Sequence, residues 1–157
     1  MTTPSTTAAA ATGLAGVRAL SHVALEVSDL EASIAFYEAV LGFEIFQDSR
    51  MGVGQPNVKG VIAGLGFELA QSPTPRQGAA DRRSPCSLGI PCLSFTVADA
   101  AGVFARLKAG GWVDAAAPTE FKGAKFFFAF DPDGHPFELI EFPKGIETLA
   151  DIRLRNR

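Results

Sequence analysis

Apolar and polar side chains alternate with a period of two over residues 20–27. Val23, Leu25 and Val27 share one face, and His22, Ala24 and Glu26 share the other. This alternation predicts a strand with one face covered by apolar packing. Leu30, Ile34, Tyr37 and Leu41 then recur at helical spacing, behind a Ser28-x-x-Glu31 capping pattern. Strands are expected next at about 43–50, 58–63 and 66–71. The same order starts again further on. Leu93, Phe95 and Val97 oppose Cys92, Ser94 and Thr96, which predicts another strand. A helix over about 99–109 places Val103, Phe104 and Leu107 inward and stops at Gly110-Gly111. Strands at about 112–115, 125–130 and 136–142 complete the second series. Between the last two, Asp131-Pro132-Asp133-Gly134 has Pro and Gly where a type I turn favours them.

The two series are one unit used twice. With the chain slid against itself by 70 positions, His22–Asp29 falls on Cys92–Asp99, with Val27 on Val97 and Asp29 on Asp99. Phe67-Glu68-Leu69 falls on Phe137-Glu138-Leu139 at the same offset. A constant register at both ends of the unit argues for duplication. The expected fold is α+β: two βαβββ modules with curved mixed sheets around a cavity.

Pleating then assigns faces. On each opening strand the branched and aromatic residues face the helix. The opposite face carries His22, Ala24 and Glu26, or Cys92, Ser94 and Thr96. On the closing strands Glu68 lies beside Ala70, and Glu138 beside Ile140. Small residues around an occasional His or Glu line a cavity more readily than they fill a core. His22, Glu68, Cys92 and Glu138 are the four repeat-related positions, and they converge if the two sheets curl around one cavity. Neutral imidazole and carboxylates bind divalent ions such as Zn, Fe, Mn, Ni or Co. The plain alternatives are solvent-facing strand charges for the two Glu and a hydrogen-bonded core histidine for His22.

Composition narrows the function classes. The 157 residues carry a formal net charge of -3, which argues against a nucleic-acid partner. No apolar run is long enough to span a bilayer. Two cysteines exclude a disulfide scaffold. Residues 1–16 are mostly Thr, Ala, Pro, Ser and Gly and read as a disordered tail, without the cationic start of a signal peptide. A cytoplasmic location is expected. Residues 72–88, rich in Pro, Gly and charge, read as a linker between module one (17–71) and module two (89–142). Residues 143–157 read as a short extension that packs on a partner.

Four stretches carry a resemblance: SHVALEVSDLEASIAFYEAVLGFEI (21–45), GFELAQ (66–71), GIPCLSFTVADAAGVFARLKAGG (89–111) and FFFAFDPDGHPFELIE (126–141). In these the chain resembles the glyoxalase/bleomycin resistance/extradiol dioxygenase, or vicinal oxygen chelate, superfamily. The resemblance implies a divalent metal held by a His opening each module and a Glu closing each one. It gives His22, Glu68 and Glu138 as ligands, with Glu68 or Glu138 also moving a proton. Cys92 stands where the second His is expected, as a thiolate ligand or as a small buried residue. The implied function is a metal-dependent lyase or isomerase acting on a small substrate with vicinal oxygens. A non-enzymatic drug- or metabolite-binding protein and a ring-cleaving dioxygenase are the alternatives. A homodimer is expected, as similar proteins often are.

Some residues are read without the repeat. Glu26 and Thr96 face the cavity and contact substrate or each other. Arg50 and Lys59 flank a loop that is either a lid meeting an anionic substrate or a plain hairpin connection. His135 reads as a surface turn residue, and Glu141 lies on the face away from Glu138.

Overall fold

The structure is a computed structural model that describes residues 19–74, 92–113, 115, 117–149 and 151–152. The elements are β1 (His22–Val27), α1 (Leu30–Leu41), β2 (Glu44–Asp48), β3 (Asn57–Ile62) and β4 (Leu65–Gln71), then β5 (Leu93–Thr96), α2 (Ala100–Ala109), β6 (Thr119–Phe121), β7 (Ala124–Phe130) and β8 (Pro136–Glu141). They build two open, mixed sheets, β1-β4-β3-β2 and β5-β8-β7-β6. In each, the opening strand runs parallel to the closing strand and the other pairs are antiparallel. The fold is α+β, two βαβββ modules. The expected tail over residues 1–16, most of the expected linker and the end of the C-terminal extension lie outside the described residues. No helix among the described residues is long and apolar enough to cross a membrane.

The duplication extends to the pairing register. Val23 faces Phe67, Ala24 faces Glu68 and Leu25 faces Leu69. At the same offset, Leu93 faces Phe137, Ser94 faces Glu138 and Phe95 faces Leu139. The helix starts repeat as well. Asp29 accepts from the Ala32 N–H at 3.0 Å, and Asp99 from the Gly102 N–H at 2.9 Å. Asp29 therefore caps α1, not the expected Ser28. Ser28 is drawn off by a longer-range partner, its N–H donating to Asp133 at 2.8 Å and its hydroxyl to the same carboxylate.

Both modules share one core. Val58, Ile62, Phe67 and Leu69 of the first sheet are buried, as are Phe127, Ala129, Phe137 and Leu139 of the second. Helix α1 packs on both. Tyr37 lies against Phe67 with ring centroids 5.4 Å apart, while Phe36, next in sequence, meets Trp112 at 4.6 Å and Phe137 at 5.8 Å. Trp112 explains why no strand forms at 112–113. Its N–H bonds back to Leu107 and its carbonyl accepts from Phe130, pinning the indole against Phe36. The third strand of module two forms later, at Thr119–Phe121.

The turn after β7 clamps the modules together. Asp131 is 2% exposed. Its carboxylate accepts from the Tyr37 hydroxyl at 2.9 Å, the His135 N–H at 2.7 Å and the Asp133 N–H at 3.0 Å. His135 Nδ1 lies 2.8 Å from the same group. His135 is thus not a surface turn residue: it is largely buried because it closes this network. Burial, and then the Asp131 carboxylate, push the Tyr37 phenol far above its ordinary value. The folded state holds the proton that the unfolded chain releases near pH 10. The Tyr37 contribution is therefore complete below that pH and lost as pH rises beyond it. Thermal unfolding followed from pH 8 to 11 is expected to show a steeper decline in wild type than in Tyr37→Phe.

Candidate functional site

The helix-facing residues of each sheet are spent on the core, so the opposite faces lie open. On the first sheet the pairing puts Ala24, Glu68, Lys59 and Gln47 in one row across the strands. His22, Gly66, Val61 and Glu44 form the next row, and Glu26, Ala70 and Asn57 lie on the other side. On the second sheet the matching row is Ser94, Glu138 and Phe128, beside Thr96, Ile140 and Phe126. Lys59 and Phe128 thus occupy equivalent places, a cation on one sheet and an aromatic ring on the other.

His22 and Glu68 meet on the first sheet. Glu68 Oε2 lies 3.6 Å from His22 Nε2 and 3.8 Å from Lys59 Nζ. Ser21 Oγ lies 3.2 Å from His22 Nδ1, which leaves Nε2 toward the carboxylate. Gly66 makes room for this arrangement. A Cβ there would lie 2.5 Å from the Ser21 carbonyl oxygen and 3.0 Å from His22 Cβ. On the second sheet Glu138 accepts the Ser94 hydroxyl at 2.6 Å. Burial, and then the Glu138 charge, push the Cys92 thiol up, which favours the neutral thiol.

These donors suit a divalent ion in halves. An imidazole nitrogen and a carboxylate oxygen 3.6 Å apart on one rigid face are close to the spacing of two donors on one ion, about 3 Å for bonds of about 2 Å. Glu138 is a second carboxylate at the repeat-equivalent place. Among the described residues of one chain, however, no three His, Cys, Asp or Glu side chains come together to hold an ion. The convergence expected of the four repeat-related groups does not occur within a single copy. The reason is the shared core: α1 bridges the apolar sides of both sheets and leaves each open face outward. A cleft of about 390 Å³ lies elsewhere, bordered by Val40, Ile62, Phe95, Arg106 and Trp112, and contains none of the four residues.

Other expected contacts resolve differently. Arg50 is held by Glu31 at 2.8 Å and by Asp48, so it is not poised over the face. Those carboxylates raise its pKa further, and Arg50 in turn holds Asp48 below the usual carboxylate range. Thr96 donates to the Glu147 carbonyl at 2.7 Å rather than to Glu26. Glu141 accepts from the Ala100 N–H at 2.9 Å and so serves the start of α2, away from Glu138. Lys59 is the cation that reaches the candidate ligands, by its register against Glu68.

Comparison with known proteins places this geometry in a family. The family described as Glyoxalase/Bleomycin resistance protein/Dioxygenase superfamily matches residues 19–139. A lactoylglutathione lyase of Salmonella typhimurium is 32% identical over 127 residues, 78% of this chain and 91% of that protein. A probable chloroplastic lactoylglutathione lyase of Arabidopsis thaliana is 30% identical over 145 residues, and there the chain spans only 40% of the relative's length. Among solved structures, a glyoxylase/bleomycin resistance protein/dioxygenase domain from Frankia sp. EAN1pec aligns with a TM-score of 0.67 at 25% identity, covering 83% of this chain and 96% of that one. A fosfomycin resistance protein from Listeria monocytogenes, in a structure holding Mn(II), shares the fold with a TM-score of 0.66 at 22% identity, covering 88% and 98%. The chain belongs to the Glyoxalase/Bleomycin resistance protein/Dioxygenase superfamily.

Proposed function

We propose that the protein is a divalent-metal-dependent lyase or isomerase acting on a small substrate with vicinal oxygens, and that its site is completed in a homodimer. The observation that carries this reading is the pair of half-sites at equivalent register: His22 with Glu68 on one open face, and Glu138 on the other. A two-fold axis that sets the first sheet of one copy against the second sheet of its partner joins both halves. His22, Glu68 and Glu138 then hold the ion, with Cys92 contributing little as a neutral thiol.

A bound divalent ion polarises a carbonyl oxygen and lowers the cost of negative charge on it. His22, with Nδ1 facing Ser21 Oγ, would hold the ion through Nε2. One carboxylate, Glu68 or Glu138, would serve as the base instead of holding the ion, taking the proton from the carbon beside the carbonyl and returning it to the neighbouring atom. Phe126 and Phe128 give the substrate an apolar wall.

The relatives named lactoylglutathione lyase support the lyase reading. The Cys92 substitution favours a second reading, a small-molecule binding or resistance protein without chemistry. Metal analysis of protein purified without chelator, followed by calorimetric titration, tests the first against the second. About one ion per site is expected, and no binding would leave the binding protein. Oxygen consumption with substrate would instead identify a ring-cleaving dioxygenase. Gly66→Ala provides a geometric test. It is expected to displace His22 and weaken metal binding about tenfold or more, comparable with loss of a group that orients a ligand, while the circular dichroism of the fold is kept.

A further inference from the structure

We propose that the cleft between the two modules is a second small-molecule site, separate from the open sheet faces, and that it takes a monocarboxylate with an apolar body, its charge held by Arg106. Module one borders this cleft with the end of α1 and the end of β3, through Val40 and Ile62. Module two borders it with β5, α2 and the turn that follows, through Phe95, Arg106 and Trp112. The volume of about 390 Å³ lies within the roughly 300–1,000 Å³ of small-molecule pockets. The cleft exists because α1 packs on both modules, and it is independent of any metal on the open faces.

The walls are apolar and only partly covered. Val40, Leu41, Phe95, Val97, Val103 and Trp112 each pack against the core yet stay half-buried, and all six border the cleft. An apolar ligand seated there takes that remaining surface out of water. Arg106 adds the charge. Val103, Arg106 and Leu107 follow helical spacing on α2 and share the cleft side, so an exposed guanidinium stands at the edge of an apolar stripe. A guanidinium is charged at any working pH, and its planar fork of donors matches a carboxylate. Gly110 keeps the indole seated. A Cβ there would lie 2.7 Å from Trp112 Cδ1 and 2.8 Å from Nε1, and Phe36 backs the ring at 4.6 Å. One cation over apolar walls selects one anionic group on an apolar body.

Trp112 is the only Trp in the chain, so its fluorescence reports on this cleft directly. Two probes of one shape are titrated into the whole chain: 4-phenylbutyrate and its neutral amide, 4-phenylbutyramide. The proteins are wild type, Arg106→Gln, Arg106→Lys and Gly110→Ala, each checked for fold by circular dichroism. Wild type is expected to show a saturable change and to prefer the carboxylate about tenfold, the scale of one charge-assisted hydrogen bond. Arg106→Gln is expected to erase that preference and leave the amide affinity unchanged, and Arg106→Lys to retain part of it. Gly110→Ala is expected to weaken both probes several-fold, because it moves the indole wall. No saturable change in wild type, as when another segment of the chain or a second copy fills the cleft, overturns the assignment. Equal affinity for the two probes in wild type, a preference that survives in Arg106→Gln, or unchanged binding in Gly110→Ala overturns it as well.

Discussion

Asp131→Ala is expected to destabilise the fold by about 3 kcal/mol or more, read as a lower midpoint in urea unfolding. Asp131 is 2% exposed, and its carboxylate accepts from Tyr37, His135 and Asp133. Its removal leaves a buried hydroxyl and two backbone N–H groups without an acceptor, each costing about 1–3 kcal/mol. The loss also unhooks the module-two turn from α1 of module one. Asp131→Asn keeps one acceptor oxygen and should recover part of the difference. A midpoint unchanged in Asp131→Ala would show that the clamp contributes nothing.

This clamp marks where sequence reading stops. The turn itself was legible in Asp131-Pro-Asp-Gly134, because Pro and Gly set local dihedrals. The burial of Asp131 was not, because its partner Tyr37 is 94 positions away and lies in the other module. The burial of His135 is hidden for the same reason, since its partner Asp131 is itself buried against Tyr37. Helix α1 did carry a hint. Phe36 and Tyr37 are adjacent, so they point in different directions around the helix, and both are large and aromatic. A helix with aromatic groups on two sides is packed on two sides. The sequence pattern reports local periodicity, and Trp112 shows its limit: an apolar run after Gly110-Gly111 looks like a strand until a long-range ring contact claims it. Ser28 reads as a cap in the sequence, but a nearer carboxylate, Asp29, takes that place.

The candidate site was legible to a different depth. Period-two alternation is a property of the strand backbone, so the open-face placement of His22, Glu68 and Glu138 followed from the repeat alone. The direction in which each open face points depends on how the modules pack, and that is set by Phe36, Phe137 and Trp112 together. Lys59 could be weighed against Arg50 only with the register in hand. Arg50 is consumed by Asp48 and Glu31, and Lys59 is aligned with Glu68.

His22→Ala is expected to reduce divalent-metal affinity about a hundredfold, at least the cost of a lost orienting group. Its folding stability should change little, because His22 is exposed and lends little to the core. Glu138→Gln is expected to do the same from the other module. Cys92→Ser should retain most of the metal, and Cys92→His should increase affinity by adding an imidazole donor. Calorimetric titration of the four variants reads all of this in one series. Equal affinity in wild type and His22→Ala would remove His22 from the ligand set.

The assembly of the site from two copies is tested most directly by complementation. His22→Ala and Glu138→Gln chains, each expected to be metal-poor alone, are co-expressed and purified as dimers. Random pairing makes half of them mixed, and each mixed dimer contains one site with both substitutions and one with neither. Metal content and activity should therefore return to about one quarter of wild type, as expected for isologous pairing of the two open faces. Folded, mixed dimers that recover neither metal nor activity would contradict a site shared between two copies.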